Sequence, residues 1–165
     1  MPDIAPQPSF DSVEVVDRPW FPYLCTEVEH WEWRTSGEAH FNFWLALGGE
    51  GYLQCGGETF RIFPGCFFIF SPNLNISAAH FSGARITRFS AHFFPVKEER
   101  RLDRIPGEPL LGGEVRSLAL AQRQIDAIMR LALRRDADQS LADRLYAFIM
   151  QSRGESEAIP EATLN

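Results

Sequence analysis

Two arginines are the residues of this sequence best suited by type to recognise a small molecule. A guanidinium group is a fixed donor that suits a carboxylate or a pair of hydroxyls. If Arg34 and Arg88 lie near one pocket, they favour an anionic or polyhydroxylated ligand. The alternative is that both are surface charges, paired with acids such as Glu32, Glu38 or Glu58.

The segment His40–Leu47 predicts a strand that would carry further residues of such a pocket. Side chains alternate along a strand, so the odd positions form a wholly apolar face and the even positions a mixed one. The mixed face carries His40, Asn42, Trp44 and Ala46. A strand of this kind indicates core packing on its outer side and a pocket on its inner side.

Short apolar strands alternate with glycine and proline turns through the first two thirds of the chain. This rhythm, which has no helical period, is typical of a compact barrel or jelly roll. The pair Gly56-Gly57 is a good two-residue hairpin turn. The predicted strands are Cys25–Arg34, His40–Leu47, Gly51–Cys55, Thr59–Ile62, Cys66–Phe70, Ile76–Phe81 and Arg85–Phe94.

Two amphipathic helices are predicted after the strands, over Val115–Arg134 and Ser140–Ser152. Their short connection favours an antiparallel pair. The first helix is apolar over more than one stripe, which indicates a second partner. We therefore expect a homodimer through one set of apolar residues: Leu118, Ala121, Ile125, Ile128, Met129 and Ala132.

The predicted order of segments is mainly β, followed by the helix pair. Residues 1–20 form a proline-rich arm, which either frays or folds over a ligand. Residues 21–96 form the barrel, and residues 97–113, charged and then rich in proline and glycine, form a linker. The helix pair occupies 114–153, and 154–165 is a polar tail.

Composition limits the classes of function. The chain has 165 residues, 45% of them hydrophobic and 13% aromatic, enough for one domain with a lined pocket. Its net charge of −6 argues against direct DNA binding by this segment. The cysteines are odd in number and lack CxxC spacing, so we expect reduced thiols. With no signal-like or membrane-spanning run, we expect a soluble, cytoplasmic protein.

The glycine turns, anchored at Gly49 and Gly65, resemble those of the cupin superfamily. The metal-ligand positions of that superfamily fall here on Ser36, Glu38, Asn42 and Ile76. This set lacks the imidazoles that zinc, iron or manganese would need, so no metal, cofactor or catalytic residue is predicted. A shifted metal site that uses Glu38, His40 and His80 stays open as an alternative.

More narrowly, the chain resembles the N-terminal effector-binding and dimerisation domain of AraC-type transcription regulators. The resemblance rests on the phrases GGEGYLQCGGETFRIFPGCFFIFSPN and RFSAHFFP and on the helix pair behind them. It implies a small polar or anionic effector inside the barrel, sugar-like or a carboxylate. It also implies DNA binding through a C-terminal domain that this chain does not include, either because the chain is truncated or because it is a standalone sensor.

The effector-binding residues that follow from this resemblance and from the strand pattern are Arg34, His40, Asn42, Trp44, Ala78, His80, Arg88 and Ser90. Ala78 and Ser90 replace aromatic residues of the arabinose-binding member of that family, which argues against arabinose itself. Two other functions remain as alternatives: a metal-dependent cupin enzyme, such as a dioxygenase or isomerase, and a standalone sugar-binding cupin.

Overall fold

The computed structural model describes residues 15–17, 22–35, 37–102, 110–134 and 138–155. In these ranges the chain forms strands β1 (Val15–Asp17), β2 (Tyr23–Thr26), β3 (Glu32–Thr35), β4 (Phe41–Gly48), β5 (Gly51–Cys55), β6 (Glu58–Ile62), β7 (Cys66–Phe70), β8 (Ile76–His80), β9 (Thr87–Lys97), β10 (Arg100–Arg101) and β11 (Leu110–Glu114), then helices α1 (Leu118–Ala132) and α2 (Asp138–Glu155).

The strands form two antiparallel sheets that face each other. The first sheet has the order β1-β9-β4-β7-β11, and β2 and β10 also pair with β9. The second sheet has the order β3-β8-β5-β6. The prediction of a mainly β, jelly-roll-like fold followed by two helices is confirmed.

Alternation along β4 divides the molecule into two apolar layers. The odd positions, Phe41, Phe43 and Leu45, are fully buried in one cluster with residues of α1 and α2. The even positions Trp44 and Ala46 belong to a second cluster, between the two sheets, with residues such as Leu53. The odd face of β4 therefore packs in the core, as predicted, and α1 and α2 cover it, while the mixed even face lies between the two sheets.

The β5–β6 hairpin turns at the predicted glycine pair. Gly56 and Gly57 have φ values of 60° and 82°, in the left-handed region that glycine adopts at little cost. Cys55 pairs with Glu58 across this two-residue loop. The register of the outer hairpin of the second sheet is thus set by local turn chemistry.

The segment predicted as one strand, Cys25–Arg34, is two strands in different sheets. β2 pairs with β9 in the first sheet, and β3 pairs with β8 in the second. A turn at Glu29 and His30 separates them, and His30 has a left-handed φ of 60°. Neither residue is a glycine or proline, so no turn residue marks this position in the sequence.

The predicted linker, 97–113, contains ladder-forming segments. β9 continues to Lys97, and β10 folds back on it. β11 pairs with β7 along its whole length, with Gly112 opposite Phe68 and Gly113 opposite Phe67. Glycine content concealed this strand, because two of its five residues are glycines and glycine is depleted in strands. Residues 103–109 lie outside the described residues.

The terminal predictions fall largely outside the described part of the chain. Of the predicted arm, 1–20, the structure describes Val15–Asp17, which form β1 and pair with Val96, Pro95 and Phe94 of β9. Of the predicted tail it describes only the last residues of α2. Among the described residues, no helix is long and apolar enough to cross a membrane.

The helix residues predicted for dimerisation are mostly used by the core of the same chain. Ala121, Ile125 and Ile128 are at most 3% exposed and belong to the cluster beneath the helices. Met129 and Ala132 are partly buried against that cluster. Leu118 is half-buried. This stripe is therefore the core-facing side of α1, and a partner would have to contact a different face.

Candidate functional site

The inner face of the first sheet brings together the polar residues of two neighbouring strands. β4 and β9 pair so that Trp44 lies opposite Ser90, Asn42 opposite His92, and Ala46 opposite Arg88. Paired residues point to the same side of a sheet. These side chains therefore form one row between the two sheets.

Arg88 is the centre of a buried hydrogen-bond chain. Its Nε donates to Oε1 of Glu27 at 2.7 Å, and its Nη1 donates to Oγ of Ser90 at 2.7 Å and to Oη of Tyr23 at 3.1 Å. Oγ of Ser90 donates in turn to Oδ1 of Asn42 at 3.3 Å. These hydrogen bonds therefore extend from the Arg88–Glu27 ion pair into the space between the two sheets.

The charge of Arg88 is balanced inside the protein. The side chains of Arg88 and Glu27 are 9% and 12% exposed. Burial by itself lowers the pKa of Arg88, but Tyr23 and Glu27 outweigh that effect, and the pKa lies above its ordinary value. Arg88 is therefore a permanently charged donor whose countercharge is already in place.

Aromatic rings surround this arginine. Its guanidinium lies 4.5 Å from the ring centroid of Trp44 and 5.9 Å from that of Trp31, both within cation–π range. Trp33, from the second sheet, lies 4.9 Å from Trp44. The Nε1 of Trp44 is buried and has no hydrogen-bond partner among the residues that the structure describes. A buried donor without an acceptor is rare in proteins and is a feature that a bound ligand can satisfy.

Two histidines and a glutamate form a second polar group at the end of the same row, the Glu38–His40–His92 cluster. The Nδ1 atoms of His40 and His92 are 3.1 Å apart. Oε2 of Glu38 lies 3.8 Å from the first and 3.5 Å from the second. Burial, together with His40 and Arg88, lowers the pKa of His92 to about 4, so that its imidazole is neutral near pH 7.

The structure unites five of the eight predicted effector-binding residues on this inner row. Asn42, Trp44, Arg88 and Ser90 form one contact group, and His40 lies at its end beside His92. Ala78 is buried on the second sheet within the same inner apolar cluster as Trp44. Ala78 therefore contributes an apolar surface to the space between the sheets and makes no side-chain hydrogen bond.

Arg34 and His80 lie away from the row. Arg34 is exposed and lines an open groove of about 590 Å³ with Gln54 and Ser77. It sits on the opposite side of β3 from Trp33, so strand alternation carries it out of the inner space. His80 accepts from the backbone N–H of Trp31 at 3.2 Å and lies 2.9 Å from the carbonyl oxygen of Val28. It ties together the β2–β3 connection and β8.

Glu27, Tyr23 and His92 were not predicted. Glu27 belongs to the segment interpreted as a single strand, Cys25–Arg34, and Tyr23 lies just before that segment, so their approach to Arg88 was hidden. The sequence did indicate the place of His92, because it lies two and four positions after Ser90 and Arg88 in the closing strand, and alternate side chains of a strand share one face.

Of the four metal positions of the cupin pattern, only Glu38 has a side chain typical of a transition-metal ligand. Asn42 already accepts a hydrogen bond from Oγ of Ser90. The side chain of Ile76 has no atom that could bind a metal ion. Ser36 lies outside the described residues. The alternative set of Glu38, His40 and His80 is not assembled either, because His80 is engaged at the β2–β3 connection.

A cavity of about 10 Å³ lies beside Glu38, His40 and Asn42, with Trp33 and Phe70 among its other walls. That volume corresponds to roughly one water molecule. A larger ligand would enter only if side chains or a neighbouring segment moved.

Comparison with known families identifies the chain. The family model of the AraC-like ligand-binding domain matches residues 23–149, which include every described strand except β1 and most of the helix pair. The chain therefore belongs to the AraC-like ligand-binding domain family, and the predicted resemblance is confirmed. A comparison with curated proteins gave no significant match.

Two solved structures of ToxT show the same fold. Apo ToxT, a variant from Vibrio cholerae strain SCE256, is 11% identical with a TM-score of 0.51, over 78% of this chain and 52% of that one. ToxT from the same strain with a bound unsaturated fatty acid is 11% identical with a TM-score of 0.51, over 85% and 57%. YhaK from Escherichia coli is 12% identical with a TM-score of 0.42, over 60% and 45%. The chain thus spans about half the length of these proteins.

Proposed function

We propose that this chain is the effector-sensing domain of an AraC-type transcription regulator, with the effector bound between the two sheets. The observation that carries the proposal is the buried polar row of Arg88, Ser90 and Asn42 beside the unpartnered Nε1 of Trp44. A domain with no use for these groups would be more stable with an apolar interior. DNA binding would belong to another domain, since the net charge of this chain is −6.

The charge balance favours a neutral, hydroxyl-rich effector over a carboxylate. Arg88 and Glu27 already compensate each other, so an added anion would leave one uncompensated negative charge in a low-dielectric interior. Hydroxyls can instead donate to Asn42 or accept from Trp44 without disturbing the pair. The indole face of Trp44 offers an apolar surface of the kind that ligand pockets use.

A carboxylate effector would require Glu27 to leave Arg88. Glu27 lies in the connection between β2 and β3, so its release would free that connection from the first sheet. The water-sized cavity means that any effector needs some such movement to gain room. We place entry at this connection, which also carries Trp31 against the Arg88 side chain.

The polar row serves recognition rather than catalysis in this proposal. Arg88, Ser90 and Asn42 are bound to one another, and none is paired with a general base at a nucleophile. We also propose that the chain acts as a homodimer through its helices, where Leu120 of α1 and Leu133, the residue directly after α1, are exposed.

The test is a ligand screen by thermal shift, followed by calorimetry on hits. The probes are glucose, xylose and myo-inositol as neutral polyols, gluconate as a sugar acid, and succinate as a dicarboxylate. Binding to the native state raises Tm by mass action. We expect stabilisation by a polyol; stabilisation by an anion that increases in Glu27→Gln would instead select the carboxylate class.

A Trp44→Phe variant localises the site. It keeps an aromatic ring and removes the Nε1 donor, so affinity for the hit should fall by about 3- to 10-fold, the equivalent of one hydrogen bond. The matched control is Arg34→Ala on the exposed groove, which should bind as the wild type does. Equal binding by Trp44→Phe and wild type, or loss in the Arg34→Ala control, would contradict a site between the sheets.

A further inference from the structure

We propose that the Glu38–His40–His92 cluster binds one divalent first-row transition ion, of which Zn²⁺ is the representative. The inference stands apart from effector sensing, because it concerns residues at the end of the polar row rather than Arg88 and Trp44. The ligand atoms are Oε2 of Glu38 and the Nδ1 atoms of His40 and His92, which lie within 4.8 Å of one another.

The spacing of the three atoms fits the bond lengths of such an ion. Their separations are 3.1 Å between the nitrogens and 3.5 Å and 3.8 Å from each nitrogen to the carboxylate oxygen. A triangle with these sides has a common centre about 2.0 Å from each corner, which matches Zn–N and Zn–O distances of about 2.0–2.2 Å. The separations of the three ligand atoms are therefore already those that such an ion requires.

The hydrogen bonds within this triangle depend on which Nδ1 atom carries a proton. Each neutral imidazole Nδ1 carries either a proton or a lone pair. If one Nδ1 is protonated, it can donate to the other nitrogen or to Glu38, and the second Nδ1 then presents a lone pair to the carboxylate. If both are protonated, two N–H groups meet at 3.1 Å. A cation at the centre accepts one lone pair from each of the three atoms.

The two histidines are held by rigid neighbours. His40 directly precedes β4, and His92 lies in β9, and the two strands pair with Asn42 opposite His92. The ring of Tyr23 stacks on His92 at 6.1 Å, and Phe94 meets His40 edge-on at 6.3 Å. Rings fixed by strands and aromatic contacts give a metal site the preorganisation that it needs.

The carboxylate is positioned by a backbone contact. The carbonyl oxygen of Glu38 accepts from the backbone N–H of Asn73 at 3.0 Å. Gly37 precedes it with a φ of 138°, and a Cβ there would lie 3.0 Å from Cα of Asn73. This close approach, which glycine permits, docks the Glu38 segment against the turn before β8.

The donor set decides the class of ion. Two imidazoles with one carboxylate suit zinc, iron, cobalt, nickel and manganese, whereas magnesium and calcium prefer oxygen ligands. Three protein ligands leave at least one coordination position for water or another oxygen ligand. The water-sized cavity lies beside Glu38, His40 and Asn42, where such a molecule would fit.

The experiment titrates the chelator-treated chain with Zn²⁺ alone by calorimetry, and with Co²⁺ alone by visible absorption. We expect one ion per chain and a Co²⁺ d–d spectrum typical of low coordination number. In His92→Gln and in Glu38→Gln the affinity should fall by about 100-fold or more, above the loss seen for outer-shell changes. Glu38→Gln replaces a side chain that is 32% exposed by one of nearly equal shape, so the fold should persist.

The controls are the two histidines outside the cluster, in His30→Asn and His80→Gln, which should keep wild-type affinity. Absence of binding, unchanged affinity in both cluster variants, or loss in the His30→Asn control would overturn the proposal. Repeating the polyol screen with a chelator separates the two ideas. If a polyol still raises Tm in the presence of the chelator and the chain does not bind Zn²⁺, the metal proposal is wrong and the effector proposal is unaffected.

Discussion

At the scale of single residues, the interior of this domain depends on a charge pair that the sequence separates widely. Arg88 and Glu27 are 61 positions apart, yet Nε and Oε1 meet at 2.7 Å. Both are nearly excluded from solvent. A buried pair contributes little net stability, but removal of one partner leaves an uncompensated charge.

Arg88→Met should therefore destabilise the domain strongly, by about 3–5 kcal/mol. The double variant Arg88→Met/Glu27→Gln removes both charges and should recover much of that loss. Urea unfolding followed by tryptophan fluorescence measures both free energies. If the single and double variants are equally unstable, the ion pair is not the reason for the loss.

Cys66 makes the stability of the domain sensitive to alkaline pH. Burial raises the pKa of this thiol from 9.0 to about 12. In the unfolded chain the thiol ionises near pH 9, while in the folded chain it stays protonated. The unfolding free energy should fall by about 1.4 kcal/mol per pH unit between those values through this group alone.

The measurement is urea unfolding from pH 8 to pH 11 for the wild type and Cys66→Ala. The variant will be less stable throughout, because it loses buried volume, but its stability should decline less steeply with pH. Parallel declines would show that Cys66 does not carry the effect. The native thiol of Cys66 should also resist alkylation at pH 8, since the thiolate is the reactive form.

At the scale of elements, α1 shows how one amphipathic pattern can be assigned to the wrong neighbour. The stripe with Ala121, Ile125 and Ile128 faces the first sheet and α2 of its own chain. Periodicity reports only that a face is apolar and does not identify what covers it. What α1 leaves exposed includes Leu120, 43% exposed, and Leu133, 86% exposed.

Leu120→Glu/Leu133→Glu should give a folded monomer if the chain dimerises through the exposed leucines of α1 and of its C-terminal end. Both side chains lie outside the core, so the unfolding free energy should change by less than about 0.5 kcal/mol per site. Ile125→Glu, in contrast, should unfold the domain, because it buries a carboxylate at a position only 1% exposed.

Light scattering at several protein concentrations gives the mass, and circular dichroism confirms the fold. A dimer that persists in the double glutamate variant would place the interface on another surface. A folded Ile125→Glu monomer would mean that the core-facing assignment of α1 is wrong.

At the scale of the whole molecule, the first sheet lies between two apolar layers, one formed with the helices and one formed with the second sheet. In β4, Trp44 faces the inner polar row, and the adjacent Phe43 packs edge-on against Phe148 of α2 at 5.5 Å. A displacement of β4 by an effector would therefore reach the helices directly. Coupling through a strand shared by site and helices is the physical route that this fold offers.

Much of this architecture could be predicted from sequence. The alternation in β4, the Gly56-Gly57 turn and the helical spacing in α1 are local patterns, and each gave the correct element and face. The switch of sheets at Glu29 and His30 was missed because no turn residue marks it. β11 was missed because two of its five residues are glycines, which are depleted in strands.

The sequence by itself determined which residues face inward, because alternation and helical period are properties of adjacent positions. Only the tertiary structure decided which inward residues meet. Glu27 reaches Arg88 across 61 positions, and His40 reaches His92 across 52. Such contacts depend on strand order and register, which are set by the packing of the whole sheet rather than by any local pattern.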